Sequence, residues 1–221
     1  MKKIFCALSA FIAVSGVVHA EVLADFSFTG DSAASSDSSI YSSLTAFNVG
    51  VGSISGELVS ATGADVTQSG DVDPAGTGAR YQSFTLTVTG LGAGETLDLT
   101  SLTYDYTVIQ PLNFAVGLYS SVDGFASAAA QLDGVDTDLD YSTPQAFNQT
   151  VTLSAGDFSG LENADTVEFR FYLADGSSST SRYHQLDNIV LNGTVNAIPE
   201  PSMLGLVGVV GLAAFSIRNR K

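Results

Sequence analysis

The sequence predicts an all-β domain, an antiparallel β-sandwich of jelly-roll type with about eight or nine strands, between two terminal segments of different character. Three observations predict it. From Ser83 to Val195 apolar and polar residues alternate with a period of two, the pattern of strands with one buried face. Gly, Ser, Asp and Asn punctuate the runs between residues 21 and 198, where turns need them. No strong helical periodicity interrupts that stretch.

Taken in order, residues 1–20 read as a signal peptide. Met1-Lys2-Lys3 is a cationic start, Ile4 to Gly16 an apolar segment, and Val18-His19-Ala20 a small-residue cleavage site. Cleavage between Ala20 and Glu21 is expected, after export through the Sec machinery. The only cysteine, Cys6, lies in the apolar segment, so the mature chain is expected to fold without disulfides.

Residues 21–198 form the expected sandwich, large enough for one core. Val22 to Phe28 is the first strand, followed by a Ser-rich loop from Gly30 to Ser43. Phe47 to Val59 reads as one or two strands, and residues 60–80 as a long polar loop containing Asp71 and Asp73. In Ser83 to Thr89, Phe84, Leu86 and Val88 face inward. Tyr104 and Tyr106 do so in Leu102 to Val108. Leu112, Phe114, Val116 and Leu118 form the next apolar row. An Ala-rich stretch from Phe125 to Gln131 reads as a short helix. Val151 and Leu153 start another row, Val167, Phe169, Phe171 and Leu173 supply one more, and Ile189, Leu191 and Val195 close the fold.

Residues 199–221 are different. Pro199-Glu200-Pro201 stops regular structure. The uncharged run Met203 to Ile217 follows, then Arg218-Asn219-Arg220-Lys221. As a helix residues 203–217 reach about 22 Å against a hydrocarbon core of roughly 30 Å. The run is short for a permanent span, and its cations are expected to stay cytoplasmic. The tripeptide, the apolar helix and the basic end, with Pro199, Glu200, Pro201, Arg218, Arg220 and Lys221 as its signature residues, resemble the PEP-CTERM sorting signal. That resemblance implies recognition by an exosortase, transient anchoring in the inner membrane and passage to the cell surface. Further upstream, Val167 to Leu173 and Leu186 to Val195 resemble the closing strands of carbohydrate-binding-module jelly rolls.

Between the two signals stand three arginines, Arg80, Arg170 and Arg182, against 22 acids (all 23 but Glu200), a formal charge of −19. Such a surface repels nucleic acid and anionic lipid. Catalysis finds no support in the residues. No nucleophile elbow, His-Glu-x-x-His pair or phosphate loop occurs, and His184 reads as a surface residue in a Ser/Thr-rich loop. Carboxylates are too numerous for any pair at glycosidase spacing to inform. For metal, Asp133, Asp136, Asp138 and Asp140 share one expected loop, and hard oxygen donors at that spacing suit Ca²⁺. For a ligand, Tyr119, Arg170 and Tyr172 have the opposite parity to their core rows and are expected to face outward, with an ion pair from Arg170 to Glu168 or to an Asp on a neighbouring strand as the plainer reading. The sequence therefore describes an exported, non-enzymatic, surface-directed sandwich associated with the envelope or exopolysaccharide. A carbohydrate-binding module is the alternative, and a glycan hydrolase the third reading.

Overall fold

A computed structural model describes residues 18–50, 52–62, 81–109, 114–125, 132–137, 145–153, 156–175 and 183–197. They contain eleven strands: β1 (Val18–Phe26), β2 (Ser42–Leu44), β3 (Ser53–Ser55), β4 (Leu58–Thr62), β5 (Tyr81–Val88), β6 (Glu95–Ile109), β7 (Phe114–Ser120), β8 (Asp133–Thr137), β9 (Gln145–Thr152), β10 (Thr166–Asp175) and β11 (Tyr183–Ala197). The count exceeds the eight or nine expected because β2, β3 and β8 are too short or too polar to show alternation. They are strands because longer neighbours pair with them.

Two antiparallel sheets face each other. One has the order β3-β4-β11-β6-β9, with β1 also on β11, and the other β2-β5-β10-β7-β8. β11 is the hub of the first. Along one side it pairs with β6 from Tyr183↔Ile109 to Ala197↔Glu95. Its other side is shared, β4 taking Tyr183–Leu186 and β1 taking Ile189–Asn196. At that changeover the register shifts between Asp187 and Val190, and Asn188 adopts φ 48°, a left-handed conformation that Asn tolerates better than most residues.

Alternation decides what is buried. Phe84, Leu86 and Val88 on β5, Tyr104 and Tyr106 on β6, Phe169 and Phe171 on β10 and Leu191 on β11 are all at most 1% exposed, as their parity predicts. Phe26, Phe47, Phe84, Phe169 and Phe171 form a chain of ring contacts between the sheets, with centroids 5.1–6.3 Å apart, and Tyr104 meets Phe171 edge-on. Each such side chain contributes roughly 1.5–3 kcal/mol by burial. His184 departs from expectation. It lies on β11 two residues before Leu186, shares that residue's inward parity, and is 2% exposed.

The sandwich has two distinct ends. β4, β6, β8 and β10 finish, and β5, β7, β9 and β11 begin, at one of them. At the other, β11 finishes beside the start of β6. Here Gly90 turns the chain out of β5 with φ +68°, and a Cβ on it would collide with the Ile40 carbonyl oxygen, so only glycine fits.

β1 begins at Val18, four residues before the expected first strand, and crosses the expected cleavage point. Ala20 pairs with Thr194 and Glu21 with Gly193. Residues 1–17 and the apolar run 203–217 lie outside the described residues. Among the described residues no helix is long and apolar enough to cross a membrane.

Candidate functional site

Three residues singled out in the sequence, Tyr119, Arg170 and Tyr172, do come together. They sit on the outer face of the second sheet, because β7 and β10 pair in the register Arg170↔Tyr119. The Tyr119 and Tyr172 rings meet edge-on, with centroids 5.3 Å apart. Parity assigned their face correctly, yet exposure differs. Tyr119 is fully buried and Tyr172 is 2% exposed. Two aromatic residues that the sequence reading passed over complete the group. Tyr81, opposite Tyr172 on β5, packs at 5.4 Å. Phe125 follows β7 through a 3₁₀ turn, Ser121–Asp123, and takes φ 55°. Of the short helix expected near Phe125 to Gln131, only Phe125 is among the described residues.

Arg170 is held on every side. Its Nε and Nη2 donate to the two carboxylate oxygens of Glu168, both at 2.8 Å. Its Nη1 donates to the Tyr172 hydroxyl at 3.3 Å. The guanidinium carbon lies 4.2 Å from the Tyr81 ring centroid and 3.7 Å from that of Phe125. Burial opposes the charge, but the hydrogen bonds to Glu168 and Tyr172 and the Glu168 charge outweigh it, so the pKa rises above the usual arginine range. The guanidinium thus covers one face of each of the two rings. The arrangement is a structural clamp across β10.

The interior holds a second polar pair. The Tyr106 hydroxyl and His184 Nδ1 are hydrogen-bonded. Burial pushes the histidine down to about pKa 4, so it is neutral at physiological pH. It is 2% exposed and packs on the Tyr106 ring, an interior strand residue where a surface loop residue was expected.

A third group, invisible in the sequence, surrounds the β11 changeover. Asn188 Nδ2 donates to Asp105 Oδ2 at 2.8 Å, and its backbone N–H donates to Asp187 Oδ1 at 2.7 Å. Asn148 donates to the other Asp105 oxygen at 2.6 Å. Burial, with Asp105 and Glu57 nearby, raises the Asp187 pKa against the lowering effect of the Asn188 N–H. These amides satisfy carboxylates and hold the bulge.

Of the four aspartates considered for Ca²⁺, Asp133 and Asp136 fall on β8, paired with Leu118 and Ala115, whereas Asp138 and Asp140 lie outside the described residues. The segment before Asp138 is thus a strand where a loop was expected. Among the described residues no group of three or more acidic, histidine or cysteine side chains is placed to hold a metal ion.

At the β11 exit, a shallow cleft of about 320 Å³ is lined by Gly92, Gly94, Glu95, Thr96, Glu162 and Asn163. Glu95 faces Ala197 across the β6–β11 ladder. Asp98 fixes this corner by accepting from the Gly160 N–H and from Asn196 Nδ2, both at 2.7 Å.

Fold and surface define an acidic antiparallel β-sandwich whose last strand leads straight into a separate C-terminal signal. Residues 197–221 match the family model of the PEP-CTERM protein-sorting motif. This range contains Pro199, Glu200, Pro201, Arg218, Arg220 and Lys221, and all six lie outside the described residues. No curated protein matches the chain. Among solved structures, the K3 cleaved adhesin domain of Lys-gingipain from Porphyromonas gingivalis W83 is similar at 14% identity and a TM-score of 0.39, covering 79% of this chain and 99% of the other. A family 29 carbohydrate-binding module is similar at 10% identity and TM-score 0.35, covering 80% and 89%. The family 28 module, specific for non-crystalline cellulose, is similar at 10% identity and TM-score 0.31, covering 59% and 73%.

Proposed function

We propose that this chain is an exported protein, sorted through residues 197–221 by an exosortase, that delivers an acidic, non-enzymatic β-sandwich to the cell surface. There it serves the envelope or an exopolysaccharide-bearing matrix. The observation that carries the reading is the sorting-motif match, which begins at Ala197, the last residue of β11. The motif therefore overlaps the described strands at Ala197 alone and otherwise follows the last of them, appended to the domain as an address is. The formal charge of −19 on residues 21–198 supports a soluble, self-repelling surface component. The interior position of His184 and the pairing of Arg170 with Glu168 support a role without catalysis.

Intact-mass measurement of the surface form tests the reading. The expected mass lacks Met203 to Lys221 in cells with an exosortase, and a surface form retaining that segment would overturn it. Affinity electrophoresis of the exported domain in polysaccharide gels tests the matrix role. Retardation by one defined glycan in trace amounts, without turnover, would make the domain a carbohydrate-binding module instead. Release of reducing ends would make it a hydrolase.

A further inference from the structure

The way β11 leaves the sandwich fixes how the domain stands while it is anchored, given the reading of residues 197–221 as a membrane sorting signal. β11 ends at Ala197, and the apolar run begins at Met203. Six residues span at most about 20 Å. The end of the sandwich carrying Glu95 and the Glu162–Asn163 cleft is therefore tied within about 20 Å of the apolar run. β6 and β11 are each 15 residues long, about 50 Å at roughly 3.3 Å per residue. The opposite end is out of reach of the tether.

Charge decides between standing and lying. Glu95, Asp157, Glu162 and Asp165 are at the exit end, the last three of them exposed. No cation accompanies them among the described residues. Lying flat would bring the faces of a domain of charge −19 within a Debye length, about 8–10 Å, of anionic headgroups. Standing end-on confines that repulsion to one small end, and the tether holds the end there.

We propose that the anchored sandwich stands end-on, its strands along the membrane normal. The Glu95–Glu162 end faces the bilayer and is the surface that meets the membrane-embedded sorting enzyme. The end where β5, β7, β9 and β11 begin points outward, and is the end offered to partners at the cell surface.

The test uses residues 21–221, which contain no cysteine, reconstituted in phosphatidylglycerol/phosphatidylethanolamine vesicles containing a nickel-chelating lipid. Single cysteines replace Glu162 at the exit end or Ala146, an exposed residue near the start of β9, and each carries a spin label. Nickel at the headgroups should enhance relaxation of the label at 162 several-fold more than at 146. A flexible insert of about 20 Gly/Ser residues after Ala197 should remove most of that difference. Equal enhancement at both sites, or a larger one at 146, would overturn the proposal. So would a difference that survives the insert, because the short tether would then not be its cause. A chain that fails to float with the vesicles would instead refute the anchoring function of residues 197–221, and with it this orientation.

Discussion

Acid should destabilise this domain through one side chain. His184 is 2% exposed, and burial holds its pKa at about 4, against about 6.5 in an unfolded chain. Below pH 6.5 the unfolded chain takes up a proton that the folded one refuses, so stability falls as pH falls. The loss continues until the folded-state pKa is reached. A gap of 6.5 to about 4, at 1.36 kcal/mol per unit, amounts to about 3 kcal/mol by pH 4. That is a large part of the ~5–15 kcal/mol typical of a domain. The carboxylate-rich surface works in the opposite direction, since protonation relieves its self-repulsion. Only a difference between variants therefore isolates the histidine. Urea unfolding of residues 21–197 should be followed from pH 7.5 to 4 for the natural sequence and for His184→Gln. The substitution removes the ring packed on Tyr106 and should lower stability at pH 7.5. That deficit should shrink by about 3 kcal/mol as pH reaches 4, because the variant has nothing to protonate there. Parallel pH curves would refute the argument and mean that His184 is solvated.

Two further substitutions probe the described geometry. Arg170→Lys keeps the charge but not the two-pronged contact with Glu168 or the stacking between Tyr81 and Phe125. It should cost about 1–2 kcal/mol in urea unfolding, and an unchanged midpoint would mean that the clamp contributes nothing. Gly193→Ala would place a Cβ 2.6 Å from Leu23 Cδ1 and 2.9 Å from the Asp98 carbonyl oxygen. A loss of about 1–3 kcal/mol is expected from this overpacking, with faster amide exchange at Glu21 to Ala24 as β1 loosens, and unchanged exchange there would contradict the register.

The legible part of the fold was the part written in parity. Phe84, Leu86 and Val88 could be placed inside because alternation states which face a residue takes. It does not state what lies on that face. Tyr119 and Tyr172 were assigned the outer side correctly, yet they are buried, and Phe125 reaches Arg170 through a left-handed turn that no periodicity encodes. Tyr81 could have been found, since it shares parity with Ser83 and not with Phe84. β8 reads Asp-Gly-Val-Asp-Thr, with one apolar residue, and becomes a strand only because β7 offers a partner. The Ser/Thr-rich neighbours of His184 suggest a loop, whereas its two-residue spacing from Leu186 points inward, and the spacing wins. The Asp105–Asn188 contact joins positions far apart in sequence across a bulge, and nothing local announces it. The C-terminal address was legible because composition and order carry it without any fold.

The register of β1 turns chain order into a clock. The Ala20–Glu21 bond lies inside a paired strand, opposite Thr194 and Gly193. Any protease acting on that bond must hold its substrate extended, and the backbone groups it needs there are already engaged once β1 has docked on β11. Docking cannot begin until β11 is made, about 170 residues after the bond itself. At roughly 5–20 residues per second of synthesis, that leaves on the order of ten to thirty seconds. Within that interval the bond is open to a protease, and afterwards folding itself shields it. A cut made later would first have to peel Val18 to Val22 away from β11.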